Sequence, residues 1–374
     1  GDADVDDATG GPCDGVDCSG HGSCVPIDGE ATCACDSEHY PVGFECLRDP
    51  CESSGTCYYV DADGGSDANP GTRAEPWQTL PHVQDEMGGL SPGDYVLFQR
   101  GDSWSGTETF RIRDVDGAPG EVITFGAYDT GARPQLRAIR VEGVSYVTVR
   151  DLESVGSESG PCLNVTRSSH VIVQDLHAHG CQSNGLHFGS AAEYGVLIDN
   201  RVWDVTHNDA LVVHNPGTVT EDTKVGDHFW IVDNSVPGDI GEQPVDIATG
   251  TDDVPGSRDL KIVGNVLTGG GNGCVAIGHG SSVAWIVGNL LGNCTRSETA
   301  YAVGISGQHL DNSGTDFQVA GNVIFHNLMP SVQVGGEAPA VPRAFVHHNT
   351  IVHAIGRRSA IRSSAEIALS LDHN

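Results

Sequence analysis

The sequence predicts an all-β protein, a single parallel β-solenoid preceded by a small disulfide-rich module. Polar residues recur at intervals of 24 to 34 residues, and most of them close a short strand of alternating apolar residues. A period of roughly 20–50 residues is typical of stacked units that cannot bury their apolar face alone. Six of the twelve cysteines fall within the first fifty residues, and helical patterns are almost absent after residue 90.

Charge and hydropathy exclude two classes of protein. The 374 residues include 51 Asp and Glu but only 19 Lys and Arg, which gives a net charge of −32. Nucleic-acid binding requires a basic surface that neutralises phosphates, so this class is excluded. No run approaches the ~18 apolar residues needed to span a bilayer, so no membrane-spanning segment is expected.

The amino-terminal cysteines predict a disulfide framework. Residues 1–12 are acidic and nearly free of apolar side chains, which predicts a flexible linker. Such crowding of cysteines in a loop-rich stretch is typical of disulfides formed in an oxidising compartment, so we expect a secreted, extracellular or cell-surface protein. A zinc site is the alternative, although the close pair is C-x-C and His21 and His39 lack paired spacing. The six residues are Cys13, Cys18, Cys24, Cys33, Cys35 and Cys46.

The stretch CDGVDCSGHGSCVPIDGEATCACDSEHYPVGFEC, with four, five, eight, one and ten residues between its cysteines, resembles an EGF-like module. We assign this disulfide-rich module to residues 13–50. The resemblance implies disulfides between Cys13 and Cys24, Cys18 and Cys33, and Cys35 and Cys46, whereas six cysteines alone allow fifteen connectivities. No calcium is expected there, because Gly10-Gly11-Pro12 replaces the acidic residues of the calcium-binding variant. We expect Cys51 and Cys57 to close a small loop.

From Tyr58, the segment YYVDADGGSDANPGTRAEPWQTL resembles the opening of right-handed parallel β-helices of the pectate-lyase-like superfamily. The resemblance implies a right-handed parallel β-helix over residues 51–374, with a cap and first coils over 58–146 and regular coils over 147–374. A covering helix is predicted, with Pro76 in its first turn and Gly88-Gly89 at its end. Its apolar residues are Trp77, Leu80, Val83 and Met87. The alternative, a β-propeller, has four strands in each ~40-residue blade.

Each repeat contains two strands with alternating inward residues. The first strand carries pairs such as Leu260/Ile262, and the second carries pairs such as Val245/Ile247. Asn at a fixed turn position predicts a ladder of side-chain amides between coils. The polar residues that mark the repeat are Asp151, Asp175, Asn200, Asn234, Asn265, Asn289, Asn322, Asn349 and Asn374.

The remaining four cysteines are spaced to bridge neighbouring coils. Cys162 pairs with Cys181 and Cys274 with Cys294 in this prediction, since neighbouring strands lie ~4.8 Å apart. Four buried free thiols are the alternative.

Outward residues of the second strand suggest a chemical site. His187, His214 and Asp246 are predicted on successive coils, where they would form an acid/base pair or a metal site. The acidic segment beside them adds hard oxygen ligands that suit calcium. Lys261 or His214 would then be the base of a lyase. The alternative is that these are turn and surface residues. The predicted metal ligands are Asp246, Asp252 and Asp253, with a second short loop of Asp61, Asp63 and Asp67 for which an Asp/Gly turn is the favoured alternative.

Outward positions of the first strand are unusually apolar. A solvated face would be polar there, so something is expected to cover it: an insertion or the module, another subunit, or a sugar chain stacked on Trp230 and Trp285. The residues concerned are Trp230, Trp285, Phe345, Val232, Val263 and Val287.

Two functions follow from these features. The first is a non-catalytic structural or adhesive protein that self-associates through the apolar face and an uncapped carboxyl-terminal coil, with its negative charge holding calcium. The alternative is a calcium-dependent polysaccharide lyase. No organic cofactor is expected in either case, and the partners would be the protein itself or a polysaccharide.

Overall fold

The computed structural model describes residues 12–372 apart from residues 28–29, 37–38, 43, 48–50, 52–55, 107, 157–158, 216–219, 221, 239, 251–255, 279–280, 282, 295–300, 308–315, 326–330, 337–342, 353–360 and 364–368. The proposed linker and Asn374 therefore lie outside the described residues. Within them, no helix is long and apolar enough to cross a membrane.

The body is a parallel β-helix, as predicted, and among the described residues its successive coils contribute strands to three parallel sheets. Sheet 1 has twelve strands: Cys57–Val60, Tyr95–Gln99, Ile123–Tyr128, Ser145–Arg150, Ser169–Gln174, Glu193–Ile198, Phe229–Val232, Leu260–Val263, Ala284–Val287, Asp316–Ala320, Arg343–His347 and Leu369–Asp372. Sheet 2 has ten: Ser103–Trp104, Gln135–Leu136, Glu153–Ser154, His177–Ala178, Arg201–Val202, Ser235–Pro237, Val266–Thr268, Leu290–Gly292, Val323–Phe325 and Thr350–Val352. Sheet 3 has ten: Phe110–Ile112, Ile139–Glu142, Leu163–Thr166, Leu186–Phe188, Leu211–His214, Val245–Ala248, Gly273–Gly278, Tyr301–Gly307, Val332–Gly336 and Ile361–Ser363.

The core fills the interior of the coil. Leu260 and Ile262 of sheet 1, and Val245 and Ile247 of sheet 3, are buried with the equivalent residues of neighbouring coils, so the predicted alternation is confirmed. Sheet 2 was not predicted. Its strands have two or three residues and carry a single inward side chain each, which is too short for a period of two to be visible.

The turn between sheets 1 and 2 carries an amide ladder. Asn234 donates its side-chain N–H to Asn265 Oδ1 at 3.0 Å, and Asn265 donates in turn to Asn289 Oδ1 at 2.9 Å. The ladder extends from Asn200 to Asn349, and its members also donate to main-chain carbonyls of the preceding coil. The predicted ladder is therefore confirmed for six of the marked residues.

In the predicted series of polar residues that mark the repeat, the first two members are one residue away from the asparagine position. Asp151 and Asp175 have left-handed φ values of 58° and 47°, like Asp199 at 56°, and Asp199 directly precedes Asn200. Leu176 stands at the asparagine position of its coil, where its N–H donates to Asn200 Oδ1 at 2.9 Å. Asp and Asn both tolerate the left-handed conformation, so the sequence does not distinguish the two turn positions.

One helix, Leu80–Glu86, covers the first coils, followed by a 3₁₀ turn over Met87–Gly89. It begins later than predicted. Thr79 is its N-cap and accepts a hydrogen bond from His82 N, whereas Trp77 pairs with Val60 as an isolated bridge.

All twelve cysteines form disulfides, and none is free. The module contains the three pairings that the resemblance implies, and the alternative of a zinc site is excluded. The other three disulfides join Cys51 to Cys57, Cys162 to Cys181, and Cys274 to Cys294. Their number indicates an oxidising compartment.

The disulfide-rich module packs on the outer face of sheet 1. Its described elements are a 3₁₀ turn, Cys18–Gly20, and two antiparallel strand pairs: Gly22–Ile27 with Glu30–Cys35, and Tyr40–Val42 with Glu45–Leu47. The Arg150 guanidinium, buried against Asp151, donates to the Asp36 carbonyl at 3.2 Å. Gln174 donates to the Cys35 carbonyl.

The module covers the early coils of the apolar face. A cavity of about 500 Å³ remains between the module and sheet 1, lined in part by Phe44, Ile172 and Ile198. Val196, in the column that the sequence predicts to be covered, is only 4% exposed. The chain itself therefore covers this part of the flank, which is the first of the three predicted alternatives.

Candidate active site

The outward face of sheet 3 carries one column of aligned side chains along the coils, and we call this face together with the turn that precedes it the groove. Strand register places His187 beside Val212, Val212 beside Asp246, and Asp246 beside Ala276, which is followed by Gly304. The residues that follow Asp246 in this column are small, and the Tyr301 ring occupies the space above Gly304.

The two predicted histidines contact each other through a main-chain atom. His187 is 4% exposed, and its Nε2 lies 2.9 Å from the carbonyl oxygen of His214. That carbonyl can only accept, so Nε2 carries the proton. Burial lowers the pKa of His187 to about 4, so the ring is neutral at neutral pH. His187 therefore supports the shape of the groove, and it holds no acidic proton for general acid catalysis near pH 7.

The groove contains a carboxylate that the sequence did not predict, Asp209. It is 8% exposed, and its Oδ1 accepts a hydrogen bond from Gln243 N at 2.6 Å. Burial, and then the charges of Asp246 and Glu242, raise its pKa to about 8 despite that hydrogen bond. Burial and the charge of Glu242 raise the pKa of half-buried Asp246 to about 7. Two carboxyl groups that titrate near neutral pH in one groove are suited to proton transfer.

A polar rim follows the same edge over four coils. Asn208 donates its side-chain N–H to Ser183 Oγ at 3.3 Å, Glu242 N donates to Asn208 O at 3.0 Å, and Asn272 N donates to Glu242 O at 3.1 Å. Side chains of this kind form hydrogen bonds with hydroxyl groups. The rim therefore suits a hydroxylated ligand.

Tyr301 closes the groove on the far side of Asp246. Its ring lies against Gly304, where a Cβ would overlap the ring atoms, so only glycine permits this position. Burial, and then the charge of Asp246, raise the pKa of the Tyr301 hydroxyl. An aromatic ring thus lies close to the carboxylate pair.

Lys261, predicted as the base of a lyase, lies elsewhere. It belongs to sheet 1, with Nζ 3.6 Å from Asp259 Oδ1 and 3.8 Å from the centre of the Trp230 ring. Asp246 lies on sheet 3, so the structure does not bring Lys261 together with Asp246. The two strands follow each other in sequence but turn their outward faces to different sides of the coil. Asp252 and Asp253 fall outside the described residues.

The predicted loop of Asp61, Asp63 and Asp67 uses its carboxylates internally. Asp61 Oδ1 accepts from the main-chain N–H groups of Asp63 and Gly64, and Asp67 accepts from the main chain and hydroxyl of Thr79. Within the described part of the chain, only disulfide-bonded cysteines form a group of three potential ligands within 4.8 Å of one another. These contacts fit the alternative of an Asp/Gly turn, and calcium binding stays a prediction.

No family model matches this sequence. A lacto-N-biosidase from Bifidobacterium longum subsp. longum is 42% identical over 98 residues, which is 25% of this chain and 6% of that protein. The chain thus spans a small part of its relative's length. Among solved structures, the GH136 lacto-N-biosidase from Eubacterium ramulus has a TM-score of 0.54 and 17% identity over 85% of this chain and 68% of that one. An alginate lyase from a Paenibacillus species has a TM-score of 0.59 and 12% identity over 85% and 98%.

These comparisons correct the predicted function. These three proteins, similar in sequence or in fold, are by their names carbohydrate-active enzymes. The expectation of a non-catalytic structural or adhesive protein is therefore wrong, and the enzyme alternative is better supported. The structural likenesses themselves show only the shared fold.

Proposed function

We propose that this chain is a carbohydrate-active enzyme, a glycoside hydrolase whose acid/base pair is Asp209 and Asp246. The observation that carries the proposal is the pair of carboxyl groups in the sheet 3 groove with pKa values raised to about 8 and about 7. Hydrolysis of a glycosidic bond typically uses two such groups, one protonated and one ionised.

The surroundings of the two carboxyl groups indicate which one donates the proton and which one is ionised. Asp209, the more buried and more strongly perturbed, retains its proton at neutral pH and gives it to the leaving glycosidic oxygen. Asp246, the first of the pair to ionise, provides the negative charge that stabilises the positive charge developing on the sugar ring. The bond between the sugar carbon and the leaving oxygen breaks as that oxygen takes the proton of Asp209. Water then adds its hydroxyl to the sugar carbon, and the proton that water releases restores the acid form of Asp209.

A neutral glycan fits this groove better than a polyuronate. The negative charges of Asp246 and Glu242 would repel a substrate carboxylate, whereas the rim of Ser183 and Asn208 suits hydroxyl groups. Lacto-N-biosidases are among the proteins that this chain resembles, and the one similar in sequence supports a glycan as the substrate. This chain shares 98 aligned residues with the first of them, so the substrate is proposed at the level of its class.

The calcium-dependent lyase remains the second candidate, because an alginate lyase shares the fold. One experiment separates the two. The protein is incubated with neutral oligosaccharides and with pectate and alginate plus calcium, and both reducing ends and the ultraviolet absorbance of unsaturated uronates are measured. We expect reducing ends from the neutral panel, no absorbance change, and no loss of rate in Lys261→Ala. Unsaturated products that disappear in Lys261→Ala would overturn the hydrolase proposal.

The pH profile of kcat/KM is expected to be a narrow bell with its optimum between about pH 7 and pH 8. The rate rises as Asp246 ionises and falls as Asp209 loses its proton. Glu242→Gln removes a charge that raises both pKa values, so both limbs should move to lower pH. Asp204→Asn, which changes an exposed carboxylate outside the groove, is the matched control. A profile that Glu242→Gln leaves in place would contradict the proposed pair.

We also propose that residues 13–50 are an EGF-like module, that the body belongs to the pectate-lyase-like superfamily, and that the enzyme is secreted. The cysteine spacing and the three disulfides support the first statement, and the parallel coils support the second. Six disulfides support the third.

A further inference from the structure

One large aromatic side chain on sheet 1 is exposed to solvent. Trp285 is 50% exposed, whereas Val196, in the same outward column, is 4% exposed beneath the disulfide-rich module. The disulfide-rich module therefore covers the early coils of sheet 1 but not the coil that contains Trp285. The remaining residues of the predicted apolar flank are half-buried: Trp230, Phe345, Val232, Val263 and Val287.

Polar side chains stand on both sides of Trp285 in this column. Strand register places Lys261 on the preceding coil and Gln318 on the following one, with Phe345 beyond. Contacts fix both polar groups: Lys261 Nζ lies over the Trp230 ring at 3.8 Å, and Gln318 Oε1 lies 3.3 Å from His347 Nε2. A rigid strip of alternating aromatic and hydrogen-bonding groups results, and its residues are held by parallel strands.

We propose that this strip, which we call the Trp285 platform, is a second carbohydrate-binding surface that holds a neutral polysaccharide chain. The faces of sugar rings carry C–H groups that stack on an indole, and their edges carry hydroxyls within reach of flanking amide and ammonium groups. Coils repeat every ~4.8 Å, about the length of one sugar residue, so successive sugars meet successive side chains of the column.

Electrostatic repulsion favours a neutral glycan on the platform over a second copy of the chain or a polyanionic glycan. A second copy of the chain would bring together two molecules of net charge −32, and a polyanionic glycan would meet the same repulsion. A neutral glycan meets no such repulsion. Among the described residues of this column, the one cation is Lys261, and its ammonium already has a partner in Asp259 at 3.6 Å, which weakens its attraction for a polyanion.

The platform goes beyond the proposed catalytic function and does not depend on it. The catalytic groove lies on sheet 3 and the platform on sheet 1, which are separate faces of one coil. A polysaccharide held on sheet 1 therefore leaves the groove open to a chain end or to a neighbouring chain. The platform would raise the local concentration of substrate without taking part in the chemical step.

Retention on polysaccharides tests this proposal. Native gels containing hydroxyethylcellulose, xylan or soluble starch, and columns of insoluble chitin, are run with Asp209→Asn protein so that no probe is degraded. We expect retention on at least one probe and at least a tenfold weaker affinity in Trp285→Ala. Trp285→Tyr, which keeps an aromatic ring, should recover part of the affinity. Val266→Ala, at an exposed apolar position on sheet 2, is the matched control.

Two results would overturn the proposal that the Trp285 platform binds carbohydrate. One is no retention on any of these probes, and the other is equal retention of the Asp209→Asn protein with and without Trp285→Ala. Thermal unfolding checks that each variant is folded. Turnover of a soluble oligosaccharide by Trp285→Ala, made without the Asp209 change, should stay within about twofold of the wild type, since alanine here touches no group in the groove. Retention is measured without catalysis, so a failed hydrolysis assay would leave this result intact.

Discussion

Replacing Asp209 with asparagine is expected to lower kcat by about 10²–10⁴-fold, the usual contribution of a positioned general acid. The asparagine keeps an oxygen that can accept the hydrogen bond from Gln243 N, so the local structure should survive. The variant lacks the acidic proton that Asp209 transfers to the leaving glycosidic oxygen in the wild type. The measurement is kcat on the oligosaccharide that the wild type hydrolyses best.

The same substitution is expected to stabilise the protein at high pH. An aspartate in the unfolded chain titrates near its ordinary value of 3.8, whereas folded Asp209 titrates at about 8. Its folded-state pKa is raised, so its contribution to stability is fully present below pH ~4 and is lost as the pH rises towards 8. The amide does not titrate, so the melting temperature of Asp209→Asn should exceed that of the wild type at pH 8, and the excess should shrink by pH 5.

Asp204→Asn is the control for both measurements. Asp204 lies five residues before Asp209 in an exposed turn with a φ of 52°, which asparagine also tolerates. Neither kcat nor the pH dependence of the melting temperature should change in this variant. If Asp209→Asn kept its activity, or if its melting temperature fell at pH 8, Asp209 would not be a buried proton donor.

Much of the fold is predictable because the same local pattern repeats. A strand such as Leu260–Val263 is ambiguous alone, but its alternation recurs in coil after coil, and an error in one repeat is visible against the others. The one-residue slip between Asp175 and Asn200 occurred where two chemically similar residues occupy adjacent turn positions. Periodicity therefore predicts the architecture more reliably than the register of its turns.

The candidate site was harder to predict because it depends on contacts between coils. The alternation of buried and outward residues in strand Val245–Ala248 identifies Asp246 as outward-facing. Asp209 lies in the turn before strand Leu211–His214, where no alternating pattern indicates which way a side chain points. Its proximity to Asp246 and Glu242 depends on the coil that separates Asp209 from Gln243 by 34 positions in sequence, and sequence alone does not convert that separation into register. In the same way, the position of the disulfide-rich module on sheet 1 depends on contacts of Asp36 and Cys35 that have no sequence signature.

Replacing Asn265 with alanine is expected to destabilise the β-helix by roughly 3–5 kcal/mol. Asn265 is fully buried in the middle of the amide ladder. Its Oδ1 accepts from the main-chain and side-chain nitrogens of Asn234, and its Nδ2 donates to Ile231 O and Asn289 Oδ1. Alanine removes one hydrogen-bond partner from each of these four groups inside a dry core, although Asn234 Nδ2 keeps Leu197 O and Asn289 Oδ1 keeps Asn265 N. A buried polar group left with no partner costs about 1–3 kcal/mol, and the lost bonds of the other groups add to this cost.

Asn265→Asp sharpens the test, since aspartate has nearly the same shape but cannot donate two hydrogen bonds. Its carboxylate would face the oxygens of Ile231 and Asn289 in a site without solvent, so it should destabilise at least as much as alanine at pH 7. Asn272→Ala, at an exposed position, should change stability by no more than about 0.5 kcal/mol. The urea midpoint is the measurement, because long repeat arrays depart from two-state unfolding and the midpoint needs no extrapolation. Equal midpoints for Asn265→Ala and Asn272→Ala would mean that the ladder aligns the coils without stabilising them, and that the apolar interior alone supports the stack.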